Sequence, residues 1–326
     1  MATYKEIFGT NIEVLASDPA NPVQGQVWYN STSSVVKGAA VTTSGAWATG
    51  GNLNTGRPSA LGGTGATKDA ALAFGGGPPP APTAIAITES YNGTSWTEVN
   101  DLNTARAFVT GVGPNTDAIA AGGDQYSGVA ESWNGTCWTS ISNEPDASNG
   151  YGTAGADSTN ALFFGGAGAV PAATGNRYWN GSAWTALADI LQQRSGISGA
   201  GNSYDAALAA SGQYSSTRYS NVESFNGTSW TEITDVNTAR GFGNGAGTQT
   251  SALIFGGDVP PVTGATEEWN GSTWTETTDL STARSVFAKA GTGPADALAA
   301  GGSPALTATE EWTGAGSPLT VTFTDS

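Results

Sequence analysis

The sequence predicts an all-β chain built from one repeated four-stranded unit, with a short N-terminal extension outside the repeat. Three landmarks running in phase carry that expectation. The first is a turn followed by tryptophan: SGAW at Trp47, NGTSW at Trp96, NGTCW at Trp138, NGSAW at Trp184, NGTSW at Trp230 and NGSTW at Trp274, at steps of 49, 42, 46, 46 and 44 residues. The second is a small apolar run ending in glycine, at Gly76, Gly123, Gly166, Gly212, Gly257 and Gly302. The third is an aromatic five residues before the tryptophan, at Tyr91, Trp133, Trp179, Phe225 and Trp269, with Trp312 in the matching slot of the last unit. Ten of the 11 tryptophans fall in these slots, so aromatic content measures repeat number.

From Arg106 to Trp138, one unit reads as four short strands: AFVTGV, a polar turn at PNTD, AIAAGG, a variable loop, ESW, the turn NG, and CWTSI. Each is strand-length and bounded by turn residues. The second strand is small and apolar on both faces, as in a strand buried between neighbouring sheets, and its glycine pair permits close backbone approach. Asn-Gly between the third and fourth strands predicts a type I′ hairpin with both central residues at positive φ. The one helix-like stretch is ALADILQQR, residues 186–194. A lone sheet of this size cannot bury its aromatic face, whereas six or seven packed radially bury both faces and leave few edges, which predicts a β-propeller. Six blades are expected, the Trp47 strand completing or joining the last blade beside a C-terminal strand at Leu319–Thr324. Seven blades, the extra one built from residues 26–48, is the alternative.

The order arginine, diglycine, Glu-x-aromatic and tryptophan, as in Arg106, Gly122-Gly123, Glu131-Ser132-Trp133 and Trp138, resembles the kelch repeat over roughly residues 50–316. That resemblance implies a kelch-type β-propeller and says little about activity. Residues 1–40 lack the blade landmarks and form an expected attachment or extension segment, with the propeller over 41–326. Ser17–Gly38 (SDPANPVQGQVWYNSTSSVVKG) and the transition GAWATGGNLNTGR resemble virion proteins of marine tailed phages, including those of cyanobacteria. The resemblance implies a tail-fibre, baseplate or capsid-surface component, located in the virion after synthesis in the host cytoplasm. Pro22, Trp28 and Tyr29 are the candidate virion-docking residues; a segment packed on its own propeller is the other reading.

Composition narrows the chemistry. With no histidine there is no imidazole base, no Ser-His-Asp arrangement and no histidine metal ligand. The copper oxidases that share the kelch fold need such ligands and are excluded. A single cysteine, Cys137, closes no intramolecular disulfide. A net charge of −16 repels phosphate backbones and anionic lipid, so neither nucleic acid nor membrane insertion is expected. The N-terminus carries no apolar run of the secretory kind. No cofactor and no metal are expected.

Arg57, Arg106, Arg194, Arg240 and Arg284 share one slot near the start of the first strand. In a kelch propeller that slot lies near the central channel, where converging guanidiniums could bind an anionic sugar or a carboxylate. The competing reading is pairing within each blade, since Glu89, Glu131, Glu223, Glu267 and Glu310 repeat in the third strand of the same blades. In the third blade Asn149 takes the arginine slot while Arg177 takes the glutamate slot, a joint change that favours coupling. The sequons at Asn92, Asn134, Asn180, Asn226 and Asn270 read as hairpin turns rather than glycosylation sites, and Asn30 is not preceded by a secretory signal. Asp69, Asp117, Asp205 and Asp296, one per blade, read as turn residues rather than calcium ligands. The loops Gly75–Ala84 and Asp258–Thr266 are candidate recognition loops.

The expected function is non-enzymatic: a virion structural protein displaying a propeller for attachment to host-surface glycan. The alternatives are a purely architectural, self-assembling fibre or decoration subunit, and a glycan-active enzyme with paired carboxylates. Expected partners are other virion proteins, further copies of the chain and host polysaccharide.

Overall fold

The structure, a computed structural model, describes residues 12–19, 25–41, 44–57, 61–77, 84–124, 127–168, 174–304, 307–316 and 318–323. The described chain is all-β, a set of small antiparallel four-stranded sheets consistent with a β-propeller. Residues 186–194 are not helical: the strand Trp184–Ala186 ends there, and the rest is an irregular connection with a bend at residues 191–192 that buries Ile190.

The chain divides into two compact units, one of residues Ala46–Thr313 and one that joins Met1–Gly45 to Gly314–Ser326. In the larger unit, sheet I is Gly62–Thr67, Ala70–Phe74, Thr88–Tyr91 and Trp96–Val99. Sheet II is Thr110–Val112, Ala118–Ala121, Ala130–Trp133 and Trp138–Ser140. Sheet III is Gly152–Asp157, Asn160–Phe164, Asn176–Trp179 and Trp184–Ala186. Sheet IV is Ser198–Ser203, Ala206–Ala210, Val222–Phe225 and Trp230–Ile233. Sheet V is Asn244–Gly247, Ala252–Phe255, Thr266–Trp269 and Trp274–Glu276. Sheet VI is Ala288–Ala290, Asp296–Ala300 and Thr309–Thr313, and its fourth strand is Ala46–Thr49 from the other end of the unit.

The core lies between sheets. Second-strand residues such as Leu72, Ile119, Leu162, Leu253 and Leu298 have no exposed surface, as their two-faced apolar pattern requires. Leu72 and Phe74 of sheet I pack with Ala118, Trp133 and Trp138 of sheet II, and like clusters join II to III, III to IV, IV to V and V to VI. Leu298 and Ala300 of sheet VI pack in turn with Ala71, Ala73 and Trp96 of sheet I. Each fully buried Leu or Phe contributes roughly 1.5–3 kcal/mol.

The repeated aromatics sit directly opposite one another across the third and fourth strands: Tyr91 with Trp96, Trp133 with Trp138, Trp179 with Trp184, Phe225 with Trp230, Trp269 with Trp274, and Trp312 with Trp47. The fourth-strand indole then reaches the sheet before it. Trp138 Nε1 donates to Thr88 Oγ1 (3.1 Å), Trp96 to Thr309 (3.0 Å) and Trp47 to Thr266 (3.1 Å). The Asn-Gly turns differ from the type I′ expectation. Glycine alone takes positive φ, as at Gly93 (86°) and Gly135 (87°). The asparagine Oδ1 instead accepts the amides two and three residues on, Thr94 and Ser95 in the case of Asn92, an Asx turn that needs no left-handed asparagine.

In the smaller unit the sheet order is Glu13–Leu15, Val27–Asn30, Val35–Val41 and Pro318–Phe323, with the first pair parallel. The Trp47 strand thus completes the last sheet as expected. The C-terminal strand does not lie beside it: it pairs with Val35–Val41, so residues from Gly314 on group with the N-terminal unit. The strands at Val27–Asn30 and Val35–Val41 are real but belong to this mixed sheet.

Trp47→Ala removes an aromatic pair and an intersheet hydrogen bond from a strand supplied from far away in sequence. We expect it to lower the stability of the larger unit by about 3–5 kcal/mol, measured by chemical denaturation.

Candidate functional site

The five repeated arginines converge on nothing outside their own sheets. Each is at most 1% exposed. Arg57 Nη1 donates to the carbonyls of Gly75 (3.3 Å) and Ile87 (2.8 Å), and Nη2 to Glu89 (2.6 Å). Arg284 repeats this with Gly301 (3.3 Å), Ala308 (2.7 Å) and Glu310 (2.5 Å). Arg106 does so with Gly122, Val129 and Glu131, and Arg240 with Gly256, Ala265 and Glu267. Arg194 is the weakest version: Nη2 reaches Ala209 (2.9 Å) and Glu223 (3.1 Å), Nη1 finds no partner, and Nε finds none either, as in Arg57 and Arg106. Burial pulls every one of these guanidiniums below its ordinary range, opposed by the charge of the facing glutamate.

The glutamates hold the connection that arrives from the preceding sheet. Their carboxylates accept the amides of Asn54 (2.7 Å), Asn103 (2.7 Å), Leu191 (2.6 Å), Asn237 (2.6 Å) and Ser281 (2.6 Å). Geometry therefore assigns Arg57, Arg106, Arg194, Arg240 and Arg284 to intrablade clamps. The ligand-binding reading of these residues meets no exposed guanidinium.

Sheet III departs from the pattern in an instructive way. Ser148, not Asn149, stands in the arginine slot: Asn149 pairs with Ala167 as Ser195, the residue after Arg194, pairs with Gln213. The charges are reversed, Arg177 on the third strand meeting Asp146 in the loop at 2.6 Å. Beside them the Tyr151 hydroxyl donates to the buried Glu144 carboxylate and accepts the Ser148 amide (3.0 Å). Burial pushes both Glu144 and Tyr151 up.

The first strands of all six sheets line a cavity of about 480 Å³. Its described walls are Gly, Ala, Thr, Val, Pro and Asn residues, with one ionisable side chain, Lys289 of sheet VI. Lys289 is half-buried, and its Nζ reaches across to the carbonyls of Gly199 in sheet IV (3.0 Å) and Gly245 in sheet V (2.8 Å). Burial pushes its pKa down to about 8. The matching positions of the other sheets are Gly63, Gly111, Thr153, Gly199 and Gly245. In the aligned repeats this is one lysine among small residues, and because it occurs once it carries no repeated-charge signal.

At one end Lys289 also borders a narrower space of about 60 Å³, ringed by Phe108, Phe242 and Val286. All three take positive φ (56°, 55° and 52°), as do Gly150 and Gly196 at matching positions. A left-handed residue turns its peptide groups around the ring. Gly196 N–H donates to Gly150 O (2.8 Å), Phe242 to Gly196 (2.8 Å), Val286 to Phe242 (3.1 Å) and Leu61 to Val286 (3.2 Å).

Of the candidate docking residues, Pro22 lies outside the described residues. Trp28 is fully buried and Tyr29 half-buried. Trp28 belongs to a hub on Asp18, whose carboxylate accepts Trp28 Nε1 (3.1 Å), Asn30 Nδ2 (2.7 Å) and Lys37 Nζ (2.7 Å). Lys37, with Asn30 and Trp28, holds the Asp18 carboxyl down to about 2. What this sheet does expose is Val14, Val321 and Phe323 on its two edge strands. Of the candidate loops, most of Gly75–Ala84 lies outside the described residues, while Asp258 opens the other and pairs with Arg218. Among the described residues no cluster of three metal-ligating side chains occurs, and no helix is long and apolar enough to cross a membrane. No protein-family model matches the chain, and no curated protein is significantly similar to it.

Removing one partner of a clamp leaves a buried, unpaired charge. Glu267→Ala is expected to cost about 3–5 kcal/mol in chemical denaturation, and Arg240→Met combined with Glu267→Met to recover part of that loss. Asp18 predicts a different pH response. Because its folded pKa is depressed, its contribution is full above the ordinary value of 3.8 and is lost as pH falls towards about 2. Carboxyl titration by NMR should place Asp18 near the lower value, and Asp18→Asn should remove this acid-dependent limb of the terminal sheet's unfolding.

Proposed function

We propose that this chain is a non-enzymatic structural protein of a tailed-phage virion, displaying a six-bladed, kelch-type β-propeller whose variable loops attach to host-surface polysaccharide. The single observation that carries the scaffold reading is the employment of the repeated side chains. Arginine, glutamate, tryptophan and threonine are each consumed in holding a sheet to its own loop or to its neighbour. Such a body is rigid, and what differs between repeats is the loops, where recognition on rigid scaffolds resides.

Six blades are supported by the contact of sheet VI with sheet I, by the peptide links around the Phe108 end, and by the strand Ala46–Thr49 joining the last sheet to the chain's start. Attachment through a terminal unit is supported by the meeting of N- and C-terminal strands in one sheet. The virion setting rests on the resemblance of Ser17–Gly38 to phage virion segments. Many weakly binding copies on one particle gain avidity without any strong single site. The exposed Val14, Val321 and Phe323 on edge strands favour self-assembly as a second reading, since unpaired edges invite pairing between chains.

The test uses the full chain with marine cyanobacterial cells and their isolated surface polysaccharide. Saturable retention with polysaccharide length unchanged is expected. Shortened fragments make the protein an enzyme and overturn the reading; no retention, with polymerisation of the purified protein, favours the architectural subunit.

A further inference from the structure

Lys289 stands apart from every other described cation. Lys37, Arg57, Lys68, Arg106, Arg177, Arg194, Arg218, Arg240 and Arg284 each contact a carboxylate within 4.0 Å. Lys5 lies outside the described residues. In a chain with 27 acidic residues against 11 basic ones, carboxylates are plentiful, yet none is placed against Lys289. Two carbonyl oxygens solvate two of its three N–H bonds and supply no countercharge. Charges removed from water are ordinarily paired, and this one faces a cavity large enough for a ligand of several heavy atoms.

We propose that the cavity is a binding site for a small organic carboxylate, held through its anionic group by the ammonium of Lys289. The walls fit that class. First strands are sheet edges, so backbone groups on their free side can supplement the ammonium, and Gly, Ala and Thr leave room where larger side chains would fill the space. No acidic side chain among the described lining residues competes for the ammonium. The site lies in the larger unit and does not depend on where the protein is displayed.

The pH dependence has a definite sign. Only the protonated amine attracts an anion, so affinity is present below the lysine's pKa of about 8 and is lost as pH rises through it. The other titratable group at the Lys289 end is Tyr151, on the side of the narrower space; its hydroxyl is engaged by Glu144 and stays protonated throughout that range.

The experiment titrates the full chain with acetate, glucuronate and inorganic phosphate while following the Lys289 side chain by NMR. Acetate or glucuronate should shift the Lys289 signals saturably and raise its pKa. Lys289→Met should weaken binding about ten-fold or more. Lys289→Gln, which keeps donors for the two carbonyls, provides the second variant should methionine disturb the strand. Saturation by phosphate alone would replace the carboxylate assignment with an inorganic anion site. Signals unmoved by all three anions would overturn the proposal and leave Lys289 as a tie between sheets IV, V and VI.

Discussion

A guanidinium without exposed surface must find its hydrogen bonds within reach of one side chain. That constraint organises the larger unit. In sheets I, II, V and VI the arginine binds the diglycine carbonyl at the end of the second strand and the carbonyl before the third, and the glutamate opposite it binds the incoming loop. One ion pair therefore fixes strand ends, a glycine turn and the approach of the chain from the sheet before. Its net contribution to stability is modest, because desolvating both ions offsets most of their attraction, but an alternative register leaves a buried charge unpaired and is heavily penalised. The pair selects an arrangement more than it adds energy.

Energy comes from the layers between sheets. Small residues on the second strands and large aromatics on the third and fourth make each sheet two-faced, so no sheet is stable by itself and each interface supports two. The last interface has an entropic cost. Sheet VI is complete only when Ala46–Thr49 pairs with Thr309–Thr313, and Trp47 donates to Thr266, 219 residues away. Closing this sheet therefore carries the loop-closure entropy of bringing together segments from the two ends of the unit.

Much of this was legible from residues alone, because it repeats. The aromatic pairs, the two-faced second strands and the coupling of arginine to glutamate each appear several times in one chain, and repetition separates signal from accident. Features that occur once were hidden. Asn149 is the polar residue nearest the arginine slot and so resembles its substitute, but the slot lies ten residues after each fourth-strand tryptophan, which in the third repeat is Ser148, and the pairing of Asn149 with Ala167 agrees. The C-terminal strand carries no landmark of its own, so its pairing with Val35–Val41 followed from no pattern in the repeat. The Asn-Gly dipeptides mark the turns but not their type, since the side-chain Asx bonds satisfy the loop without a left-handed asparagine. Lys289 escaped notice because a single lysine in a strand ordinarily reads as a solvated surface residue, and only the register of six first strands places it against the cavity.

Hydrogen exchange at the loop amides that the clamps hold tests the burial of the clamps most directly. Asn54, Asn103, Asn237 and Ser281 belong to connections, whose amides ordinarily exchange quickly. If the glutamates hold them as described, these amides exchange as slowly as those of the second strands, such as Leu72 and Leu253. Exchange at the rate of an exposed, unbonded turn amide would contradict the clamp and, with it, the structural assignment of the five arginines.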